Sequence, residues 1–248
     1  MFDFHDRTIA RSIDDLRLSH GALWTRPMSY AAPVYPVRGA YALPVAGWAG
    51  FVKRAMDLVL TLALLLLMAV PMLAIAVLIR RDSPGPALFR QTRIGLNGQP
   101  FELLKFRTMH DHPADLSQEF QQATRHDPRV TRIGAWLRRT SLDELPQLLN
   151  VLLGEMSIVG PRPHAPGTRA GARRFEDVTY RYAARHRVRP GMTGLAQVRG
   201  QRGETDTEEK LIQRLESDLE YIGTWSLALD LTIIWRTAFS VLRMRNAY

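Results

Sequence analysis

LVLTLALLLLMAVPMLAIAVLI, from Leu58 to Ile79, runs for 22 residues without a charge. At about 1.5 Å per residue, a straight helix of this stretch measures roughly 33 Å, enough to cross the hydrocarbon core of a bilayer. It reads as a membrane-embedded helix. Basic residues mark the cytoplasmic side of such segments, and here they stand at both ends: Lys53 and Arg54 before the run, Arg80 and Arg81 after it. Pro71 lets both ends stay on one side. In a helix it removes a backbone N–H, clashes with the preceding turn and frees the carbonyl of Leu67, so the run can bend and return. The stretch is therefore expected to be a re-entrant helix-break-helix at Pro71. A kinked bitopic span is the alternative, because transmembrane helices tolerate proline.

The rest of the chain is more polar, and the whole is basic. Its 248 residues suffice for one globular domain plus accessory segments. The net charge of +9 calls for an anionic partner: nucleic acid, a phospholipid surface or a phosphorylated substrate. With no cysteine, there is no disulfide framework, thiolate metal site or thiol nucleophile. Residues 1–50 carry scattered prolines and no sustained period, and are expected to form a weakly ordered arm. Asp3, Asp6, Asp14 and Asp15 argue against a secretory signal there. The division expected is 1–50 arm, 51–81 membrane helix and 82–248 cytosol-facing head. The fold class is α+β, mainly helical, with a small β-hairpin and interfacial amphipathic helices.

The hairpin follows the Asp82-Ser-Pro-Gly-Pro86 turn, with Asn97-Gly98 between two half-apolar runs. Taking those two as the turn residues sets Arg90 opposite Lys105, with Arg107 on the same face. Opposed cations are destabilising unless an anion lies between them. Edge-strand charges that prevent pairing are the alternative, and Pro100 also suits an edge.

In SLDELPQLLNVLLGEMSIVGPRP, Ser141 to Pro163, an Asp143-Glu144 pair opens an apolar run. Ser141-x-x-Glu144 fits a capping box, with acidic groups at the positive end of a helix, although Pro146 would allow a start nearer Asp143. The same pair fits a reactive site. Arg132, Arg138 and Arg139 precede it, and cations hold carboxylates ionised, as a nucleophile or metal ligand needs and a general acid does not. His110, His112, His126 and His164 lack a metal-ligand spacing, so no transition-metal site is expected.

Downstream, Arg169, Arg173, Arg174, Arg181, Arg185, Arg187 and Arg189 form a basic stretch that suits a solvated face, a headgroup patch or an anionic substrate. Aromatics are scarce within it, which argues against nucleic acid as the partner. Gly191 and Gly194 bracket a loop that would let backbone N–H groups approach a phosphate. Asp206-Thr-Glu-Glu209 repeats the capping-box pattern, and Leu211, Leu215, Leu219 and Ile222 share a helix face up to a stop at Gly223. The apolar C-terminal segment, broken by Asp230 and Arg236, reads as an interfacial helix or as one packed into the head.

Several long blocks, in order, resemble the bacterial sugar transferase family, the monotopic polyprenyl-phosphate phosphoglycosyl transferases, over residues 50–245. They are KRAMD (Lys53 to Asp57), DSPGP (Asp82 to Pro86), FRQTRIG (Phe89 to Gly95), KFRTM (Lys105 to Met109), RRTSLDELPQLLN (Arg138 to Asn150), GEMSIVGPRP (Gly154 to Pro163) and RPGMTG (Arg189 to Gly194). The resemblance implies a re-entrant helix anchoring a head that moves a sugar-1-phosphate from a UDP-sugar to polyprenyl (undecaprenyl) phosphate, releasing UMP and initiating exopolysaccharide, capsule or glycoconjugate synthesis. It implies Asp143 as nucleophile, through an aspartyl phosphosugar intermediate, and Glu144 as its partner. Mg²⁺ on Asp143 follows from the same likeness and from the charge neutralisation that two anionic substrates demand. The expected clamps on nucleotide-sugar phosphates are Lys105, Arg107 and Arg162, with Arg90, Arg138 and Arg139 also expected to bind substrate; Lys53 and Arg54, at the membrane mouth, are expected to hold the lipid phosphate. The expected location is the cytoplasmic face of a bacterial inner membrane, in contact with its lipids, and a homo-oligomer is left open. In the family the helix-breaking proline follows a serine; here Val70 precedes Pro71 and cannot satisfy a freed carbonyl. Two rival functions are a membrane-associated glycosyltransferase that releases UDP and a non-enzymatic basic adaptor.

Overall fold

The structure, a computed structural model, describes residues 47–110 and 127–242. The arm expected over 1–50 lies almost wholly outside the described residues, as do His112 and His126.

Helix α1, Gly47–Asp82, contains the apolar run and continues through Pro71 without interruption. Among the described residues it is the one helix long and apolar enough to cross a membrane. Helical spacing puts Lys53, Asp57, Thr61, Ile75 and Ile79 on one stripe, and all five are buried. Other faces expose Leu62, Leu66, Leu67, Val70 and Leu73, with Leu66 81% exposed. Both ends of α1 meet the same head. Near its C-terminus Ile75 and Ile79 pack with Ala87, Phe106 and Leu137; near its N-terminus Leu60 packs on a core containing Val151, Met156 and Val159. Each such isoleucine contributes roughly 1.5–3 kcal/mol by burial.

The hairpin forms as expected in kind but not in register. Strands β1, Leu88–Ile94, and β2, Pro100–Phe106, pair antiparallel with Arg90 opposite Leu104 and Phe89 opposite Lys105. The connection is not a two-residue turn. It is a loop over 95–99 containing a 3-10 turn, Leu96–Gly98, with Asn97 and Gly98 at positive φ and closed by a 2.8 Å bond from the Gly95 N–H to the Gln99 carbonyl. A slip of one residue turns every side chain to the other face, so Arg90 and Lys105 point to opposite sides of the ribbon.

Helix α2, Arg132–Thr140, is capped by the Thr131 hydroxyl, which accepts from Gly134 N–H. It ends at Ser141, whose φ of 58° lies in the left-handed region that non-glycine residues rarely adopt. The Leu142–Glu144 3-10 turn follows, and α3, Gln147–Leu153, begins after Pro146. Strand β3, Ser157–Val159, pairs parallel with β6, Gly191–Thr193. Between them lie the short β4, Arg169–Ala170, β5, Arg173–Arg174, and α4, Phe175–Val178. A 3-10 turn, Tyr182–Arg187, follows α4, and after β6 comes α5, Leu195–Val198. Helix α6, Glu208–Thr224, buries Leu211, Leu215 and Ile222, and passes one residue beyond the expected stop at Gly223. Its cap is Thr207, which accepts from Lys210 N–H, while Asp206 pairs with the Lys210 ammonium at 2.6 Å; the cap thus lies one residue later than expected, and Lys210 at the third helical position cannot complete a box. Helix α7, Leu227–Leu242, divides by face. Asp230 and Ile233 are buried, whereas Leu231, Trp235 and Phe239 are exposed.

Candidate active site

Asp143 and Glu144 sit in a strained link, not at a capped helix start. The Ser141 side chain makes no capping bond, and the Glu144 side chain does not reach back to it. The left-handed Ser141 turns the chain sharply between α2 and α3, and the intervening 3-10 turn presents the pair toward β2 and the loop after β3.

The two carboxylates differ sharply. Glu144 Oε1 accepts from Lys105 Nζ at 3.2 Å, and its two oxygens take both Nη groups of Arg162, one at 3.1 Å. Burial alone would raise its carboxyl; Arg162 and Lys105 outweigh that and hold it far below the usual carboxylate range. Asp143 is buried to 9% exposure, and no hydrogen bond or ion pair engages its carboxylate among the described residues. Burial first, then the Glu144 charge, push it up to about 6, against the pull of Lys105, Arg138 and Arg162. One carboxylate thus organises the cations, and its neighbour stays uncommitted.

Each cation has a traceable support. Lys105 follows from the β2 register, and Asn150 fixes that strand: its amide accepts from Leu104 N–H at 2.9 Å and donates to the Glu102 carbonyl at 2.7 Å. Burial lowers the Lys105 ammonium, partly offset by Glu144. Arg162 lies between Pro161 and Pro163 just after β3, and Arg185 donates to its backbone carbonyl at 2.8 Å. Arg185 is itself buried and paired with Asp218 of α6 at 2.7 Å, which corrects the reading of this basic stretch as a solvated or lipid-facing patch at that position. Arg138 donates to Thr108 Oγ1 at 2.9 Å, close enough for its charge to act on Asp143.

Four other expected phosphate ligands lie elsewhere. Arg90 is exposed and pairs with Glu102 at 3.5 Å, because the register puts it on the far face. Arg107 is buried and donates to the carbonyls of Ser83 and Pro84, holding the turn after α1. Lys53 forms a buried ion pair with Asp230 at 2.7 Å, which also accepts from Tyr221 and Trp225. Arg54 donates to the carbonyls of Val151 and Leu152, at 2.7 and 3.0 Å, at the end of α3. The structure therefore does not bring Lys53, Arg54, Arg90 or Arg107 to the acidic pair. Arg139 is exposed on α2. Gly191 and Gly194 are not a phosphate cradle either: a Cβ at either would meet Gly160 backbone at 2.1 or 2.3 Å, so they permit close strand contact.

One cation escaped the sequence reading. Arg202 is half-buried, donates to the Gln197 carbonyl at 3.0 Å, and is lowered by burial and by Arg162 against the pull of Glu144. Its signal was Gly200-Gln-Arg-Gly203, with both glycines at positive φ.

No group of three or more His, Asp or Glu side chains suited to a metal occurs among the described residues. The donor set instead fits Mg²⁺ held by a single carboxylate plus phosphate oxygens and waters, the usual arrangement for phosphate-bound Mg²⁺. Only Asp143 of the pair is available for it.

Residues 48–244 match the family model described as bacterial sugar transferase. The chain is 50% identical over 205 residues to an undecaprenyl-phosphate glucose phosphotransferase of Komagataeibacter xylinus, covering 83% of this chain and 38% of that protein. It is 48% identical over 213 residues to a UDP-glucose:undecaprenyl-phosphate glucose-1-phosphate transferase of Escherichia coli K12, covering 86% and 45%. An exopolysaccharide production protein, PSS, of Rhizobium leguminosarum bv. phaseoli is 53% identical over 190 residues, covering 77% and 94%. The chain thus spans less than half of the first two relatives but nearly all of the third. With its match extending from the start of α1 to beyond the end of α7, the chain belongs to the bacterial sugar transferase family.

Proposed function

We propose that this chain transfers glucose-1-phosphate from UDP-glucose to undecaprenyl phosphate, releasing UMP, through a phosphosugar carried on Asp143. The observation that carries the reading is the division of labour in the pair. Glu144 is bound by Lys105 and Arg162, whereas the Asp143 carboxylate is uncommitted. In the first step an Asp143 oxygen attacks the phosphorus that bears the sugar, the bond to the bridging oxygen breaks, and the electron pair leaves with UMP. In the second, an ionised oxygen of the lipid phosphate attacks the same phosphorus and returns the Asp143 carboxylate. No proton moves in either step. Lys105, Arg162, Arg138 and Arg202 supply fixed positive charge where phosphate charge shifts, the largest single contribution open to such a site. Mg²⁺, when bound on Asp143, would neutralise phosphate oxygens; this chain's own part is to leave that carboxylate free. The donor sugar is taken from the names of the relatives at about 50% identity.

We also infer that α1 enters and leaves the cytoplasmic leaflet of an inner membrane from one side. In support, residues at both ends of α1 pack on one head, which a head on one side of a bilayer permits only if both ends lie on that side. The exposed Leu231, Trp235 and Phe239 of α7 suit contact with the same membrane. Impermeant labelling of single cysteines near Trp48 and Arg81 tests this; modification from opposite sides contradicts it. For the reaction, UDP-glucose and undecaprenyl phosphate are incubated with the protein in membranes. UMP is the expected nucleotide product, and UDP would favour the glycosyltransferase reading.

A further inference from the structure

Asp57 is a carboxylate on α1 immediately before its 22-residue charge-free run, and it is 2% exposed. It does not face lipid. Its Oδ2 accepts from Ser157 Oγ at 2.8 Å and its Oδ1 from Ile158 N–H at 3.1 Å, gripping the first two residues of β3. Ser157 Oγ also lies 3.0 Å from the Val159 carbonyl, and the Tyr221 hydroxyl oxygen lies 3.1 Å from that same carbonyl. From Ile158 to Arg162 the chain is Val159, Gly160 and Pro161, and it has little slack. A Cβ on Gly160 would meet the Arg189 carbonyl at 2.5 Å, so the backbone is seated directly on the segment leading into β6. Pro161 and Pro163 restrict the torsions on either side of Arg162. A displacement at the start of β3 therefore has few soft torsions in which to dissipate before it reaches Arg162.

We propose that Asp57 is a positioning residue for Arg162, through which the membrane helix sets the geometry of the active site. This rests on the role given above to Arg162 as the clamp on Glu144 and on substrate phosphate. Asp57 touches neither acidic residue nor substrate; it fixes the strand from which Arg162 is presented. The role needs a hydrogen-bond acceptor for Ile158 N–H and a polar group for Ser157, and it does not need a charge. An apolar residue would fill the site but leave the buried Ile158 N–H without its partner and Ser157 with only the Val159 carbonyl.

The test is a double-mutant cycle read by UMP release from UDP-glucose, with thermal melting and membrane sedimentation measured on each protein. Asp57→Ala is expected to lower kcat/KM tenfold or more, and Asp57→Asn, which keeps the shape and the acceptor, to stay within about threefold of wild type. Arg162→Gln is expected to lower it further. Adding Asp57→Ala to Arg162→Gln should cost less than about twofold, because the residue through which Asp57 acts is already gone. Losses that multiply would overturn the proposal and leave Asp57 a general structural residue, and so would an Asp57→Asn protein as impaired as Asp57→Ala. If Asp57→Ala does not fold, Ser157→Ala, which removes one of the two contacts, enters the same cycle with a smaller expected loss. An Arg162→Gln protein with full activity would instead overturn the underlying reading of the site.

Discussion

Asp143 is costly to the fold, and the proposed reaction depends on it. Its carboxyl is raised from 3.8 to about 6, so holding it ionised in the native state costs about 3 kcal/mol. The sign follows from the direction of the shift. Below about pH 4 both folded and unfolded forms are protonated and there is no penalty; it grows as pH rises and is complete above about 6. Asp143→Asn should therefore raise stability by up to about 3 kcal/mol at pH 8 and hardly at all near pH 3. Denaturant unfolding with divalent metal chelated would measure this, since a bound cation would itself favour the charged form. Glu144→Gln should act in the opposite direction. It removes the charge that gathers Lys105 and Arg162, and a fall of about 10²–10³ in kcat is expected, comparable to losing a preorganised charge contact. Arg90→Ala should be near neutral, within about 0.5 kcal/mol in stability, with unchanged UMP release, because Arg90 lies on the solvent face of the hairpin. At this scale the grouping of Asp143 and Glu144 with Lys105, Arg138 and Arg162 was legible, since charged residue types stood in dense, ordered blocks. The protein partners of Lys53, Arg54 and Arg107 were not legible, for one reason: a basic residue looks the same in sequence whether it meets a substrate or a buried carbonyl or carboxylate.

Elements were legible where periodicity is strong and less so where backbone meets backbone. The apolar run, the hairpin and the face of α6 follow from spacing alone. The register of β1 and β2 did not follow, because Asn97-Gly98 suits both a two-residue turn and the 3-10 turn of a longer loop, and one residue separates the two outcomes. The capping-box reading of Ser141 failed because a left-handed Ser141 ends α2 before a new helix begins. The β3–β6 contact was invisible: Gly160 is far in sequence from Gly191 and Gly194, and together they mark a place where two segments of the backbone touch without side chains. Gly160→Ala should destabilise the fold by several kcal/mol, beyond the usual 0.5–3 kcal/mol of single substitutions, since backbone atoms rather than a flexible side chain would have to move. A fall in the midpoint of unfolding, with the residual folded protein impaired in UMP release, is the expected result.

For the whole molecule, charge and hydropathy together pointed to a membrane segment and an anionic partner, but not to how the long helix and the head are joined. Lys53 of α1 and Asp230 of α7 form a buried pair satisfied by Tyr221 and Trp225. Removing Lys53 strands a buried carboxylate, so Lys53→Ala should cost roughly 3–5 kcal/mol, read as a lowered unfolding midpoint in detergent. That arrangement needs long-range contact between residues 177 positions apart, which no local pattern encodes. In the proposed function, the central element is an Asp143 carboxylate left without a partner among the described residues beside a clamped Glu144. The most direct test uses UDP-glucose radiolabelled in its β-phosphate, without lipid acceptor, followed by denaturing electrophoresis. The expected result is label on the wild-type chain that undecaprenyl phosphate discharges, and none on Asp143→Asn. Label retained on the Asp143→Asn chain, or a wild-type protein that turns over without acquiring any, would contradict Asp143 as the nucleophile.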